Sequence, residues 1–365
     1  MYDMAQTIVS SDSFTSSSPI LAKDDLVLVT GSNGFIGTEL VAVLLERGFT
    51  RVRCLVRSTA HRTERLLRLL ERFPGARVEV LEGNLQSRAD ATMAAAGVRV
   101  VFHLAAGMEK SFPGSYLNTV VTTRNLLEGV LQAGTVKRFV NVSSLAVYSN
   151  RHLRRHALLD ENCALESAPV EREEPYVYAK LKQDELVLEY GAKFRIPYVI
   201  VRPGAVYGPG KSEITGRIGI GTFGIFLHLG GRNRIPFTHV RNCADAIALA
   251  GITPAIDGQT FNIIDDDLPT SRQFMSGYRN HVTRMKYIPM PYRLFYIFCA
   301  LWEKRSRSSE GQLPAVFNRY KCAAYWKGNR YSNQKLKDLL GWRPSVPYRE
   351  GVRAYYAYLR KLKVS

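Results

Sequence analysis

The sequence predicts a doubly wound α/β protein, a parallel sheet buried between helices, with a smaller lobe following it. Three observations carry this. Strands and amphipathic helices alternate from residue 26 to about residue 202. The strands are continuous apolar runs, the pattern of strands covered on both faces. A glycine-rich turn, Thr30-Gly31-Ser32-Asn33-Gly34-Phe35-Ile36-Gly37, stands between the first strand and the first helix.

The elements follow in order. Leu26-Val27-Leu28-Val29-Thr30 is a short β-branched strand. Residues 38–47 read as a helix, with Leu40, Val41, Leu44 and Leu45 on one stripe and Gly48 as its stop. Residues 52–56 are a second strand, and 61–73 a basic amphipathic helix ended by Pro74-Gly75. Strands at 78–81 and 98–104, a long helix at 116–133, a strand at 138–143, a helix at 175–194 and a strand at 198–202 complete the alternation. Beyond Arg202 the pattern breaks into a glycine-dense, loop-rich stretch over 204–231, then one more helix at 242–251 and a strand at 260–264. From Pro269 the chain is basic and aromatic. This organisation is that of a Rossmann domain. It comprises residues 25–202 with about 236–264, and a substrate-binding lobe is built from about 203–235 and 265–365. Residues 1–24, rich in serine, threonine and aspartate, read as a disordered leader without the features of a signal peptide.

Composition narrows the class. The 365 residues, 46% hydrophobic and 22% charged, suit one large domain with an appended lobe. Five cysteines are scattered without a CxxC pair, which argues against a disulfide scaffold or zinc site and fits a reducing, cytoplasmic compartment. The seven histidines are dispersed, so no metal is expected. No apolar run is long enough to cross a bilayer. The net charge of +18 would suit nucleic acid, but the basic residues are spread out and carry no nucleic-acid motif. An anionic cofactor, substrate or membrane surface explains the charge instead.

The glycine turn points to a dinucleotide. Residues without a Cβ let backbone amides approach a pyrophosphate, and the following helix turns its positive end to the same charge. Gly31, Gly34 and Gly37, with Asn33, Phe35 and Ile36 between them, are therefore candidate cofactor-binding residues. A carboxylate at the end of the second strand would take the ribose hydroxyl of NAD(H). This chain has Arg57 there, which favours the 2′-phosphate of NADP(H), with NAD(H) the alternative.

A proton-handling set follows. A tyrosine is a poor base until a nearby ammonium stabilises its phenolate. Tyr176 and Lys180 stand four apart, on one helix face, and Tyr178 and Lys182 repeat the spacing. The serine pair Ser143-Ser144 lies upstream. A serine hydroxyl at the reacting oxygen would hold the substrate in line.

These segments resemble the extended short-chain dehydrogenase/reductase family, the NAD-dependent epimerase/dehydratase group. The resemblance rests on the glycine turn, His103-Leu104-Ala105-Ala106, Asn118, Asn125-Leu126-Leu127, Val142 to Tyr148, Pro175-Tyr176 with Lys180, Arg202 to Gly210, and Leu340-Gly341-Trp342-Arg343-Pro344. It implies Ser144, Tyr176 and Lys180 as the catalytic set, choosing Tyr176 over Tyr178. It adds Asn84, Leu85, Leu104, Ala105, Ala106, Pro203, Gly204 and Val206 to the cofactor-binding residues, with asparagine at 84 where the family usually has aspartate. Leu145-Ala146 replaces the acidic pair of the family's dehydratases, which disfavours dehydration. The stretch 234–242 lacks the aspartates common in nucleotide-sugar enzymes. It leans to the 3β-hydroxysteroid and sterol dehydrogenase or dihydroflavonol reductase branch.

The expected activity is NAD(P)-dependent interconversion of a secondary alcohol and a ketone, on a sugar nucleotide or a hydrophobic alcohol. Nucleotide-sugar epimerisation through a transient ketone is the alternative, and a cofactor-sensing binding protein the non-enzymatic one. A homodimer is expected by analogy. The basic, aromatic segment 287–305 reads first as core helix or pocket wall, and second as a peripheral contact with a membrane surface.

Overall fold

A computed structural model describes residues 19–57, 63–222, 224–310, 312–313 and 316–364. The expected leader lies outside the described residues up to residue 18; Leu21, within its last stretch, is buried in the core.

The chain opens with β1 (Val27–Thr30), α1 (Phe35–Glu46), β2 (Arg51–Val56), α2 (Glu64–Leu70), β3 (Arg77–Glu82), α3 (Arg88–Ala95) and β4 (Val100–His103). Then come α4 (Phe112–Tyr116), one π turn at Leu117–Val121, α5 (Thr122–Ala133), β5 (Arg138–Val142), β6 (Leu158–Leu159), α6 (Pro175–Phe194) and β7 (Tyr198–Pro203). The remainder is β8 (Ala205–Tyr207), β9 (Gly219–Thr222), β10 (Ile225–His228), β11 (Phe237–His239), α7 (Val240–Ile252), β12 (Thr260–Ile263), α8 (Ser271–His281) and β13 (Tyr287–Pro289). Last are α9 (Tyr292–Arg307), α10 (Arg319–Trp326), β14 (Arg330–Tyr331), α11 (Gln334–Leu340) and α12 (Tyr348–Val364).

Seven strands form one sheet in the order β12-β7-β5-β4-β1-β2-β3, every pair parallel. The period of two along β1 divides the core. Val27 and Val29 face α1 and α7, packing with Leu40, Leu44, Cys243 and Ile247. Leu28 faces the other way, toward α3, α5 and α6, packing with Ala91, Leu127 and Val187. Each buried valine, leucine or isoleucine among them contributes about 1.5–3 kcal/mol. Away from the main sheet lie two further cores, an aromatic one around Phe237, Phe274 and Tyr355 and a second joining Phe295 of α9 to Trp326 of α10.

The structure departs from the sequence reading at five places. Helix α1 starts at Phe35, because the glycine turn itself supplies its first turn: Thr38 N donates to Gly34 O at 3.0 Å. Helix α2 is shorter than 61–73, and residues 58–62 fall outside the described ones. The helix expected over 116–133 begins earlier, at Phe112, where Ser111 caps it, and carries the π turn. Thr122 and Thr123 hydroxyls bond carbonyls of Asn118 and Thr119 there. Helix α3 escaped notice since its buried stripe is only alanine, Ala91, Ala94 and Ala95. That small stripe lets α5 approach so closely that a Cβ on Gly129 would lie 2.8 Å from Ala91 O. The stretch 204–231, expected as loops, contains β8, β9 and β10.

Candidate functional site

The carboxyl ends of β1, β4, β5 and β7 converge with the first turn of α1, where open α/β sheets hold ligands. Gly31 has φ +66°, and Gly34 N donates to Gly31 O at 2.9 Å, closing the turn. A Cβ on Gly37 would lie 2.1 Å from Gly31 O, so glycine is required for α1 to start here. Backbone amides and the helix N-terminus are thereby left facing open space, a cradle suited to a pyrophosphate.

Two cavities flank this cradle. The smaller, about 250 Å³, is lined by Gly31, Asn33, Gly34, Arg57, Asn84, Leu85, Leu104, Ala105 and Ala106, together with Asn118 and Thr122. The larger, about 620 Å³, is lined by Gly31, Gly34, Phe35, Ile36, Gly37, Leu104, Ala106, Ser144, Tyr176, Lys180, Pro203, Gly204 and Val206. Every residue singled out in the sequence as catalytic or cofactor-binding therefore borders one of two adjoining cavities. Arg57 is exposed at the tip of β2. The Asn84 side chain accepts from Gln86 N at 3.1 Å.

The rival tyrosine is elsewhere. Tyr178 packs edge-on against Phe112, and Lys182 pairs with Glu185 at 2.6 Å. Ser143 is also occupied, donating to Asp184 at 2.9 Å in a buried cluster with Asn141 and Arg202. Ser144 instead caps the short turn Leu145–Val147 and accepts from Ala146 N at 3.1 Å.

The electrostatics differ from expectation in one respect. Burial pushes the Tyr176 phenol above its ordinary value, while a hydrogen bond with Ser144 pulls it down. The Lys180 ammonium, 6.0 Å from the Tyr176 ring centre, donates to Val142 O at 2.7 Å and Gln183 Oε1 at 2.9 Å. Burial lowers Lys180 to about 8, opposed by the nearby Asp184 carboxylate. Among the protein's own groups, then, the tyrosine is held protonated at neutral pH.

A buried relay leads back from Lys180. Gln183 donates to Thr123 Oγ1 at 2.8 Å; Thr123 lies 2.8 Å from His103 Nε2, and His103 Nδ1 lies 2.9 Å from Thr30 Oγ1. Thr123 gives its own proton to Thr119 O, so His103 Nε2 is the donor and Nδ1 the acceptor. Burial lowers His103 to about 3, with the Lys180 charge adding to it, so the ring is neutral.

The larger cavity also takes residues with no local signal in the sequence. Phe237, Phe274, Tyr325, Tyr355 and Ile214 give it an apolar wall, and Lys211, Glu213 and Arg217 add to the charge of Lys180 in its lining. These come from separate elements, so only folding assembles them. Among the described residues no group of histidine, cysteine and carboxylate side chains could hold a metal ion, and no helix is long and apolar enough to cross a membrane. The five cysteines are free.

A model of the NAD dependent epimerase/dehydratase family matches residues 27–263, the span from the first to the last strand of the main sheet. The chain belongs to the NAD dependent epimerase/dehydratase family. It is 25% identical over 370 residues to a sterol-4-alpha-carboxylate 3-dehydrogenase, decarboxylating, of Mus musculus, covering 94% of this chain and 94% of that protein. A dihydroflavonol 4-reductase of Hordeum vulgare is 30% identical over 192 residues, 50% of this chain and 53% of its own. Among solved structures, the UDP-glucuronic acid 4-epimerase from Bacillus cereus in complex with NAD superposes with a TM-score of 0.69 at 21% identity. That superposition covers 92% of this chain and 97% of the epimerase, and it speaks to this family's fold.

Proposed function

We propose that the protein is a nicotinamide-dependent oxidoreductase that interconverts a secondary alcohol and a ketone on a largely apolar substrate. One observation carries the reading: Ser144, Tyr176 and Lys180 border the same cavity as the glycine cradle. The residues fit a dinucleotide, since the glycines let the turn fold tightly onto its own backbone and bring the N-terminus of α1 to the cavities, and the smaller cavity continues toward Arg57. NADP(H) is the favoured form, because Arg57 ends β2 and could pair with a 2′-phosphate. When bound, the nicotinamide accepts or returns the hydride.

The chain's own residues handle the rest. Ser144 hydrogen-bonds the reacting oxygen and orients it. In the reductive direction Tyr176, held protonated, gives its proton to that oxygen as the carbonyl carbon gains hydride. In the oxidative direction the phenolate takes the hydroxyl proton back. Lys180, fixed by Val142 and Gln183, supplies the positive charge that stabilises the phenolate. The aromatic wall of Phe237, Phe274, Tyr325 and Tyr355 favours an apolar alcohol or ketone over a nucleotide sugar, which would need more than Lys211 and Arg217 to meet its phosphates. Leu145 and Ala146 offer no acid pair for dehydration.

Following reduced-cofactor absorbance with a panel of apolar ketones tests this, with NADPH and NADH compared. Tyr176→Phe should lower turnover by at least about a hundredfold, the scale of a lost general acid, with cofactor binding retained. Turnover within a few-fold of wild type would refute the tyrosine's role. Turnover without net cofactor change would mark epimerisation instead.

A further inference from the structure

Helix α9 is two-faced. Phe295 and Cys299 are buried against Trp326 and Cys322 of α10. On the opposite side Leu294, Ile297, Phe298 and Leu301 are 58%, 57%, 42% and 64% exposed. Their spacing places them on one stripe. Apolar side chains at this density on a surface mark an interaction site.

The surrounding charge identifies the partner. Arg293 stands at the start of the stripe and Lys304 and Arg305 at its end, all exposed, and no ion pair joins them to another described residue. The helix's one acid, Glu303, is buried and paired with Arg319. A second copy of the chain would bring the same cations against these, which disfavours self-association. An anionic surface with an apolar interior matches both features.

We propose that the outer face of α9 docks the protein onto an anionic lipid bilayer, with the helix lying in the plane of the surface. Leu294, Ile297 and Leu301 enter the acyl boundary, and Arg293, Lys304 and Arg305 meet headgroup phosphates. The chain's net charge of +18 adds long-range attraction. The inner face of α9 rests on α10, whose Tyr325 lines the larger cavity, so docking would bring that cavity wall within one helix of the bilayer. The surface proposal does not depend on the reaction.

Flotation of the full chain with vesicles of phosphatidylcholine, alone or mixed with phosphatidylserine, tests it. The protein should float with the mixed vesicles only, and high salt should release it. Lys304→Gln with Arg305→Gln should weaken binding about 25-fold, from about fivefold per basic residue. Leu294→Gln with Ile297→Gln and Leu301→Gln should abolish flotation. These sites are exposed, so an unchanged melting temperature confirms that both variants fold. Absent flotation with mixed vesicles overturns the proposal. So does flotation that survives the triple substitution, which would leave overall charge as the cause. Self-association that the triple substitution abolishes, with vesicle binding intact, also overturns it.

Discussion

His103 shows how much of the site lies in a single buried side chain. The ring bridges Thr30 at the cradle to Thr123 and, through Gln183, to Lys180. A charged ring there would face the Lys180 ammonium without solvent, so burial holds it neutral, with its value near 3. The folded value lies below the ordinary 6.5, so the unfolded chain takes the proton first. This contribution to stability is whole above about 6.5 and is lost as the pH falls toward 3. Long-range proton–nitrogen NMR should therefore find His103 neutral, with its proton on Nε2, down to the onset of acid unfolding. A titration midpoint near 6 would contradict the relay. The sequence placed this histidine at a strand end but could not show its partners, which come from β1, α5 and α6.

At the scale of elements, the glycine turn and α6 were legible because their chemistry is local. A turn between an apolar strand and a helix needs glycine where backbone meets backbone, and Gly37 is such a position. Gly37→Ala would set a Cβ 2.1 Å from Gly31 O, forcing the turn apart. The expected cost is about 1–3 kcal/mol of stability, the scale of overpacking, with dinucleotide affinity falling alongside. Denaturant unfolding and cofactor titration of the variant check both, and full affinity at wild-type stability would show that the turn is not so constrained. Pro175 opens α6 at its first turn, where a missing N–H costs nothing. The choice between Tyr176 and Tyr178 was not local, since both have a lysine four residues on. Packing against Phe112 and Tyr116 turns Tyr178 away from the cavity. Helix α3 was hidden because alanine carries too little apolar contrast to show a period.

For the whole molecule, the join between sheet and lobe is the feature with most consequence. Arg172 and Glu174, just before α6, form a buried ion pair. Arg172 Nη1 donates to Ala146 O at 2.9 Å, and Tyr325 of α10 donates to Glu174 at 2.7 Å. Three segments around the larger cavity are thus tied at one point: the turn after Ser144, the start of α6, and the lobe. Arg172→Met would leave a buried carboxylate without its partner, at a cost of about 3–5 kcal/mol. Thermal unfolding should show a marked loss, and an unchanged midpoint would mean the tie carries little.

The sequence alone determined the sheet and the glycine cradle, while Asn84, Leu104 to Ala106, Pro203, Gly204 and Val206 were named only through the family resemblance. Sheet and cradle are contiguous features, read from the period of apolar residues and from residues within one turn or one helix. The resemblance chose Tyr176, but only the tertiary structure shows what turns Tyr178 away, what the relay behind Lys180 connects, and which face of α9 stays uncovered. That structure also assembled the aromatic wall of Phe237, Phe274, Tyr325 and Tyr355, drawn from positions as far apart as β11 and α12. Such a surface has no spacing to read along the chain, because its members become neighbours only when the chain folds.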